Sequence, residues 1–476
     1  MASGELLLRR VVPEFDGLRL GDERLERRVR TAAEALSLDP QGSVRRAART
    51  TAEAEGIYRL LRNPRVSMGA VLEPHISHTA QRCGAAGPVL VVHDTSEFAY
   101  TGEDREGLGR LRGNKSQGFL FHASLAVEAG SRQPLGLLGH KVWVREQERS
   151  AVVQGRRGPR KASGPDYARR EHKESDRWTE QVEASVAKLP SSKEVIHVMD
   201  READSFALLA TLHERHRDFV IRVGRDRKTT HDQDTLVELA ARAEGIAQVE
   251  VPVSARAPKG APRSNKTFAQ RDARIAKLEF SGTKAEIRAP GYTRGLAATL
   301  PVHVVHVREL EAQASHQPIE WMLLTSLPVD TAEQVQRVVE IYRTRWLIEE
   351  FFKALKSGCD MERRELESLD TLTNMLAICI PIAYQLLALR HLARTRPSAP
   401  ARALFSDAQL AILRAKAKLA PEATAHQALV AVAYLGSHFE PFERKLPGWK
   451  VLARGLERLL TYEEGWLIRD EDPIKR

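Results

Sequence analysis

The feature that most constrains the fold is a pair of short apolar runs, PVLVVHD at 88–94 and VIHVMD at 195–200. Runs of this length, rich in valine and isoleucine, are typical of strands buried on both faces of a sheet. Such strands require helices on both sides of the sheet. Each run ends in an aspartate, so we expect the carboxylates of Asp94 and Asp200 at strand ends.

The segments around these runs predict the order of the core. Segments 119–129 and 134–146 follow the first run in the order of an antiparallel meander, and 218–224 follows the second run as a further strand. Helical patterns lie before and after the second run. This order predicts an α/β fold with a ribonuclease-H-like, retroviral-integrase-like core containing a mixed sheet. From about 225 to 325, alternating apolar and polar residues predict an antiparallel β insertion.

Three domains follow from these patterns. We predict a helical N-terminal domain at 1–70, the core with its insertion at 71–366, and a helical C-terminal domain at 367–476. The apolar stretch at 375–389 is shorter than a bilayer requires and is interpreted as a buried helix. No signal peptide is expected at the N-terminus, and no membrane partner.

The charge of the chain favours a polyanionic partner. The formal net charge is +10, and the basic residues of the first 70 positions are nearly all arginines. The guanidinium group suits phosphate and base-edge contacts, so nucleic acid, such as double-stranded DNA, is the first partner to consider, and an acidic membrane surface is the second. Solvated helix faces are the alternative explanation of these arginines. Three scattered cysteines exclude a disulfide scaffold and fit a reducing, cytoplasmic setting.

The segment YRTRWLIEEFFKALKSG, at 342–358, carries a polar stripe on a predicted helix at 332–357. Tyr342, Arg345, Glu349, Lys353 and Lys356 recur at helical spacing and share one face. We expect the apolar residues between them to anchor the helix to the sheet: Trp346, Leu347, Ile348, Phe351, Phe352 and Leu355. An ordinary surface helix with a Glu349–Lys353 pair is the alternative. Glu350 lies off the stripe.

Asp94, Asp200 and Glu349 together suggest a metal site. Three carboxylates from separate elements of a basic protein suit Mg²⁺ or Mn²⁺, which prefer oxygen ligands and retain waters for phosphate oxygens. Two such ions would activate a nucleophile and stabilise the leaving oxygen of a phosphodiester. The neighbouring His93 and Glu97 are interpreted as packing residues rather than ligands.

The spacing of Tyr342, Arg345, Glu349 and Lys356 resembles the YREK signature of cut-and-paste DDE transposases of the insertion-sequence-four family. Other segments resemble the transposon-five branch, in the same order along the chain. They are LGDERLERR near residue 20, YRLLRNPRVS at 58–67, VVHDTS at 91–96, DREAD at 200–204 and WMLLTSLPV at 321–329.

The resemblance implies a role for each matching residue. Asp94, Asp200 and Glu349 would be the catalytic triad and would bind two Mg²⁺ ions, with Mn²⁺ as a substitute. Tyr342, Arg345 and Lys356 would hold transposon-end phosphates, assisted by Lys353. Trp321 would stack on a flipped base, and Arg222 would contact DNA. The N-terminal arginines that would recognise the ends are Arg24, Arg28, Arg59 and Arg62.

The resemblance also implies the reaction and the assembly. Such enzymes nick the transposon end, form and open a hairpin, and join the freed 3′ end to target DNA. They act as homodimers in a synaptic complex, each protomer cutting the end held by its partner, and the C-terminal helices would pair the protomers. The expected location is the bacterial cytoplasm, associated with the nucleoid. The alternatives are a noncatalytic or domesticated end-binding regulator with this fold and another ribonuclease-H-like nuclease such as a junction resolvase.

Overall fold

The computed structural model describes residues 11–111, 116–145, 176–231, 234–253, 255, 272–291, 293, 295–311, 318–437 and 447–471. The charged segment at 156–174 lies outside these ranges, as does most of the basic loop at 258–274. The strands are β1 (Val89–Tyr100), β2 (Gly109–Arg110), β3 (Gln117–Glu128), β4 (Pro134–Trp143), β5 (Val195–Met199), β6 (Asp218–Arg222), β7 (Gly245–Val253), β8 (Arg274–Arg288), β9 (Thr299–Leu310) and β10 (Glu320–Thr325).

The helices begin with an N-terminal group and continue on both sides of the sheet. They are α1 (Glu23–Leu38), α2 (Val44–Ala47), α3 (Thr51–Leu61), α4 (Met68–Ala85), α5 (Asp176–Val186), α6 (Phe206–Glu214), α7 (Leu236–Arg242), α8 (Ala332–Arg343), α9 (Trp346–Lys353), α10 (Leu369–Thr395), α11 (Asp407–Ala417), α12 (Ala425–Leu435) and α13 (Trp449–Glu471). Most of them begin at a serine, threonine or aspartate whose side chain accepts a backbone N–H of the first turn, which stabilises the helix start.

The described strands form one mixed sheet. Its order is β2-β3-β1-β5-β6-β10-β9-β8-β7, with β4 paired to β3. Only β1, β5 and β6 run parallel to one another, and they lie in the middle of the sheet. Their inward positions are almost completely buried, as the apolar runs predict. The chain therefore has the predicted mixed α/β architecture, with parallel strands flanked by antiparallel ones.

The segment expected to be a β insertion extends this sheet. Strands β7 to β10 pair antiparallel in chain order, and β10 pairs with β6 through Leu323 and Arg222. The first residues of β10 therefore lie next to the end of β6. This pairing brings Trp321 toward the parallel strands that carry the two aspartates.

The predicted continuous helix at 332–357 is wrong in detail. Helix α8 ends at Arg343, α9 begins at Trp346, and a single π-helical turn follows at Ala354–Gly358. Between α8 and α9, the N–H of Arg345 bonds to the carbonyl of Tyr342 at 3.0 Å and that of Leu347 to Thr344 at 3.0 Å. These bonds span three residues rather than four, so the chain tightens at Thr344 and Arg345. The stripe is consequently interrupted at Arg345.

Helix α10 contains the apolar stretch at 375–389. The stretch lies within a longer helix of 27 residues, which by length and composition alone could cross a bilayer. However, 94% of its most apolar window is buried inside the protein, as in the core helix of a folded domain. Asn374 on this helix donates to the carbonyls of Leu61 at 3.0 Å and Val66 at 3.1 Å, which docks the N-terminal helices.

One hydrophobic cluster runs through the three predicted domains. It includes Leu36 in α1, Phe351 in α9 and Leu387 in α10, all of them buried. The side chain of Gln41 also donates to the carbonyls of Ser357 at 2.9 Å and Lys450 at 3.3 Å. The N-terminal helices are thus packed on the predicted core and on α13. The limits of the three domains stay a prediction from sequence.

Candidate active site

The two aspartates meet because β1 and β5 are adjacent and parallel. The last residues paired in register are His93 and Met199, so Asp94 and Asp200 occupy the next position of each chain. Asp200 follows its strand, as expected. Asp94 does not, because β1 continues to Tyr100 in antiparallel pairing with β3. Its carboxylate lies where the parallel pairing stops and the sheet opens.

Backbone N–H groups fix one oxygen of each aspartate. The N–H of Thr95 donates to Oδ1 of Asp94 at 2.7 Å, and the N–H of Glu202 donates to Oδ1 of Asp200 at 2.8 Å. Both bonds are local: the first lies within strand β1, and the second lies in the turn that follows Asp200. The second oxygen of Asp94 lies 3.0 Å from the guanidinium group of Arg345.

Glu349 on α9 is linked to Asp94 by the side chain of Arg345. Nη1 of Arg345 lies 3.0 Å from Oδ2 of Asp94, and Nη2 donates to Oε1 of Glu349. The side chain of Arg345 is only 17% exposed. One guanidinium group therefore bridges two of the three carboxylates that the sequence singled out.

The pKa of Asp94 is raised by burial and by neighbouring carboxylates. Burial raises the pKa of Asp94 to about 7, the negative charge of Asp200 adds to the rise, and Arg345 opposes it. Glu349 raises it further. A buried carboxylate with like charges nearby favours its protonated form, so the site has more negative charge than Arg345 balances. Perturbation of this kind is concentrated at functional sites.

The three carboxylates fit a divalent cation by chemistry, although they are not arranged as a ligand set. Among the residues that the structure describes, no group of three or more His, Cys, Asp or Glu side chains is close enough to hold a metal. The arrangement shown has Arg345 between Asp94 and Glu349. Hard oxygen donors with surplus negative charge are what Mg²⁺ and Mn²⁺ bind, so a cation would replace Arg345 as the countercharge.

Tyr342, Trp321 and Arg222 form a second group beside the carboxylates. Tyr342 is buried rather than exposed on the expected stripe, and its ring meets the half-buried Trp321 edge to face at 6.0 Å between centroids. Burial raises the pKa of Tyr342, while the charges of Arg345 and Arg222 lower it. The phenol therefore stays protonated; its oxygen accepts a hydrogen bond from Arg345, and its O–H is a hydrogen-bond donor.

The two lysines of the stripe diverge. Lys356 donates to the carbonyl of Glu97 and lies 3.2 Å from Glu362, on the same side as β1. Lys353 instead donates to Glu350 at 2.9 Å, and its ammonium group lies 4.4 Å from the ring centre of Trp346. Neighbouring helical positions supply better partners for Lys353 than Glu349 does. The expected single face ends at Glu349.

One expectation about this helix was wrong. Trp346 does not anchor α9 to the sheet; it is 47% exposed because it starts the helix just after the tightened turn. Glu350, which was expected to lie off the stripe, is buried and pairs with Lys353 and Arg390. Of the predicted anchors, Leu347, Ile348, Phe351, Phe352 and Leu355 are buried.

The residues beside Asp94 have structural partners. His93 is buried, and its ring bonds to His197 at 2.9 Å and to Ser124 at 3.0 Å. Glu97 accepts a hydrogen bond from Arg145 at 3.1 Å. Arg177 was not predicted as a site residue. It contacts Thr95, which follows Asp94, and Glu202, which follows Asp200. Its place in the sequence, just after the charged segment at 156–174, does not indicate these contacts, because only the fold brings α5 against β1.

The N-terminal arginines lie on the surface of α1 and α3. Arg24 is exposed, and Arg28 is half-buried. Arg59 pairs with Glu55 at 2.8 Å, and Arg62 pairs with Glu367 at 3.0 Å. Exposed ion pairs of this kind contribute about 0–1 kcal/mol, so a phosphate can replace the carboxylate at little cost.

Comparison with known proteins locates two families on the chain. The family described as Transposase DNA-binding matches residues 11–66, which include α1 to α3. The family described as Transposase DDE domain matches residues 172–386, which include Asp200 and Glu349 but not Asp94. A chain in a cryo-EM structure of a piggyBac transposase synaptic complex with hairpin DNA is similar over 99% of this chain and 79% of that one. With a TM-score of 0.38 and 10% identity, this last likeness carries no argument. Residues 11–66 are thus similar to a transposase DNA-binding domain, and residues 172–386 are similar to a DDE transposase domain.

Proposed function

We propose that this protein is a DNA transposase that binds the ends of its element, cuts them and joins the 3′ ends to target DNA. The observation that carries the proposal is the pairing of Asp94 and Glu349 with the guanidinium group of Arg345, next to Asp200, whose negative charge acts on Asp94. The two transposase domains support the class of activity and the DNA partner. The ordered motifs support the transposon-five type.

The side chains divide the work at a phosphodiester. Asp94, Asp200 and Glu349 would hold two Mg²⁺ ions, or Mn²⁺ in their place, and these ions supply charge stabilisation and an activated water or hydroxyl. Arg345 leaves Asp94 and Glu349 and takes a phosphate oxygen through two N–H groups. The hydroxyl of Tyr342 donates to the same backbone, and Lys356 adds a positive charge beside β1.

The neighbouring aromatic group fits a hairpin intermediate. A strand that bends back on itself has to unstack a base, and the indole of Trp321 offers a face on which that base can stack. Tyr342 supports the indole from one edge, and Arg222 lies next to the pair. Nicking, hairpin formation, hairpin opening and strand transfer all occur by in-line displacement, so one site serves them in turn.

Recognition and assembly complete the proposal. Arg24, Arg28, Arg59 and Arg62 contact the element ends, since they lie on exposed faces of the DNA-binding domain. Two protomers pair in a synaptic complex through their C-terminal helices, each cutting the end held by its partner. The reaction takes place in the bacterial cytoplasm at the nucleoid.

The test uses a DNA fragment that carries the element's own ends, taken from the sequence flanking the gene. Wild type and Glu349→Gln are incubated with it in Mg²⁺ or Mn²⁺, and products are separated on a denaturing gel. We expect hairpin-ended products from wild type and a loss of cutting of about 10³-fold in Glu349→Gln, since charge stabilisation is removed from the transition state. End binding, measured by gel shift, is retained.

Glu333→Gln is the matched control, because Glu333 is an exposed glutamate in the first turn of α8. This variant cuts as wild type does. Cutting without a metal, or equal cutting by Glu349→Gln, contradicts the proposal. End binding without cutting by wild type identifies the noncatalytic regulator instead.

A further inference from the structure

Arg177 on α5 contacts a residue that follows each of the two aspartates. Its Nε donates to Oγ1 of Thr95 at 3.1 Å, and its Nη2 lies 3.2 Å from Oε2 of Glu202. Thr95 follows Asp94 directly, and Glu202 is two residues after Asp200. One side chain therefore joins strand β1, just after Asp94, to the turn that follows Asp200.

The same two residues orient the aspartates. The backbone N–H of Thr95 donates to Asp94 Oδ1, and the backbone N–H of Glu202 donates to Asp200 Oδ1, at 2.7 and 2.8 Å. Arg177 holds their side chains, and their main chains hold the carboxylates. A movement of Arg177 is thus transmitted to both aspartates through one residue on each side.

The guanidinium group is itself rigidly placed. Arg177 is 8% exposed, and its Cζ lies 5.3 Å from the ring centre of Trp143 and 5.1 Å from that of Trp178. Cation–π contacts on two indoles fix the plane of the guanidinium group. On the far side of Thr95, its hydroxyl also meets Nδ1 of His122 at 2.9 Å. The threonine side chain is consequently held from two directions.

We propose that Arg177 is a positioning residue that sets the separation and orientation of Asp94 and Asp200 for a divalent cation. The inference rests on the proposed function only for the identity of the ligand. Arg177 contacts Thr95 and Glu202, and it acts on the two carboxylates through these residues. Partners behind metal ligands of this kind typically change metal affinity or activity by about 10–100-fold when removed.

The test measures Mn²⁺ binding by the full chain without DNA, by isothermal titration calorimetry. We expect Arg177→Ala to bind Mn²⁺ at least about 10-fold more weakly than wild type, with Arg177→Lys intermediate because lysine can keep one of the two contacts. In the presence of end DNA, the Mn²⁺ concentration that gives half-maximal cutting shifts by the same factor. Thermal melting by circular dichroism reports the folded fraction of each variant.

Arg82→Ala is the matched control for loss of a buried arginine. Arg82 donates to Glu14 and lies 5.0 Å from the ring centre of Tyr384, so it has the same chemistry in a different place. We expect it to lower the melting temperature and leave Mn²⁺ affinity unchanged. Thr95→Val removes the hydroxyl that accepts from Arg177, and it should add nothing further to Arg177→Ala in the double variant.

Equal Mn²⁺ affinity in Arg177→Ala and wild type overturns the inference, and so does an equal loss in Arg82→Ala. Absence of Mn²⁺ binding by wild type overturns it as well. If wild type binds Mn²⁺ but does not cut end DNA, the proposed function fails and the role of Arg177 stands. If wild type cuts and Arg177→Ala has an unchanged Mn²⁺ midpoint, only the role of Arg177 fails.

Discussion

Two clusters in this protein place a buried carboxylate beside an arginine, with opposite results. In the N-terminal cluster, Oε1 of Glu14 lies 2.9 Å from Nη1 of Arg82, and Oε2 lies 2.6 Å from Nδ1 of His75. Although burial alone would raise it, the contacts with His75 and Arg82 lower the pKa of Glu14 to about 2. At the candidate active site, burial and Asp200 raise the pKa of Asp94 to about 7.

The difference lies in the count of charges rather than in burial. Arg82 serves a single carboxylate, and the buried His75 has a lowered pKa and acts as a neutral donor. Arg345 bridges two carboxylates, and a third acts on Asp94. A balanced cluster stabilises the fold, whereas a cluster with surplus negative charge has capacity for a cation. The sign of the shift separates a structural ion pair from a candidate catalytic site.

Asp94→Asn gives the largest contrast. We expect cutting of end DNA to fall about 10³-fold, as for loss of a charge that stabilises the transition state. Stability should change in the opposite direction, because the variant removes a buried charge that its neighbours disfavour. Urea denaturation at pH 8 with a chelator should show a gain of about 1–2 kcal/mol.

The pH dependence of that gain follows from the sign of the shift. A carboxyl whose folded-state pKa is raised favours folding when protonated, and this contribution is lost as the pH rises from 3.8 toward 7. The advantage of Asp94→Asn should therefore be largest above pH 7 and shrink toward pH 4. A gain in stability that is equal at all pH values contradicts a raised pKa of Asp94.

Glu14→Gln tests the other cluster. We expect a loss of about 3 kcal/mol at pH 7, because Arg82 is left as a buried, uncompensated charge. Glu14 has a lowered pKa, so its contribution is present above pH 4.5 and is lost as the pH falls toward 2. Denaturation curves at pH 7 and pH 3 measure both values. Cutting per folded molecule should not change, and a loss of cutting that exceeds the loss of folded protein would remove the distinction between the clusters.

Replacing each arginine by lysine gives the smallest effect. Arg82 donates to Leu135, Glu14 and Thr79 through three nitrogens, so Arg82→Lys should cost about 1–2 kcal/mol. Arg345→Lys keeps the positive charge between the acids, and we expect about 1 kcal/mol or less in denaturation, together with weaker end binding in gel shifts. The reverse order of stabilities would show that Arg345 is the structural residue.

Much of the core could be predicted from sequence because its signals are local. The apolar runs at β1 and β5 predict that these strands are buried, and the order of strands and helices limits the possible topologies. The interrupted helix was not predictable in this way. Its residues have ordinary helical spacing, and only packing against the sheet and the tightened turn at Thr344 separates α8 from α9. For the same reason, Tyr342, Lys353 and Trp346 lie elsewhere than the single polar stripe and its apolar anchors predicted.

The candidate site divides similarly. The sequence alone predicted the candidate acids, since Asp94 and Asp200 end apolar runs and Glu349 lies in an ordered motif. Only the tertiary structure decided that Arg345 bridges two of them, that burial and the charge of Asp200 raise the pKa of Asp94, and that Arg177 contacts a residue after each aspartate. Residue type and spacing along one helix or strand can be taken directly from the sequence. The distance between elements depends on tertiary packing, which brings together Asp94 and Arg345, 251 residues apart in the chain.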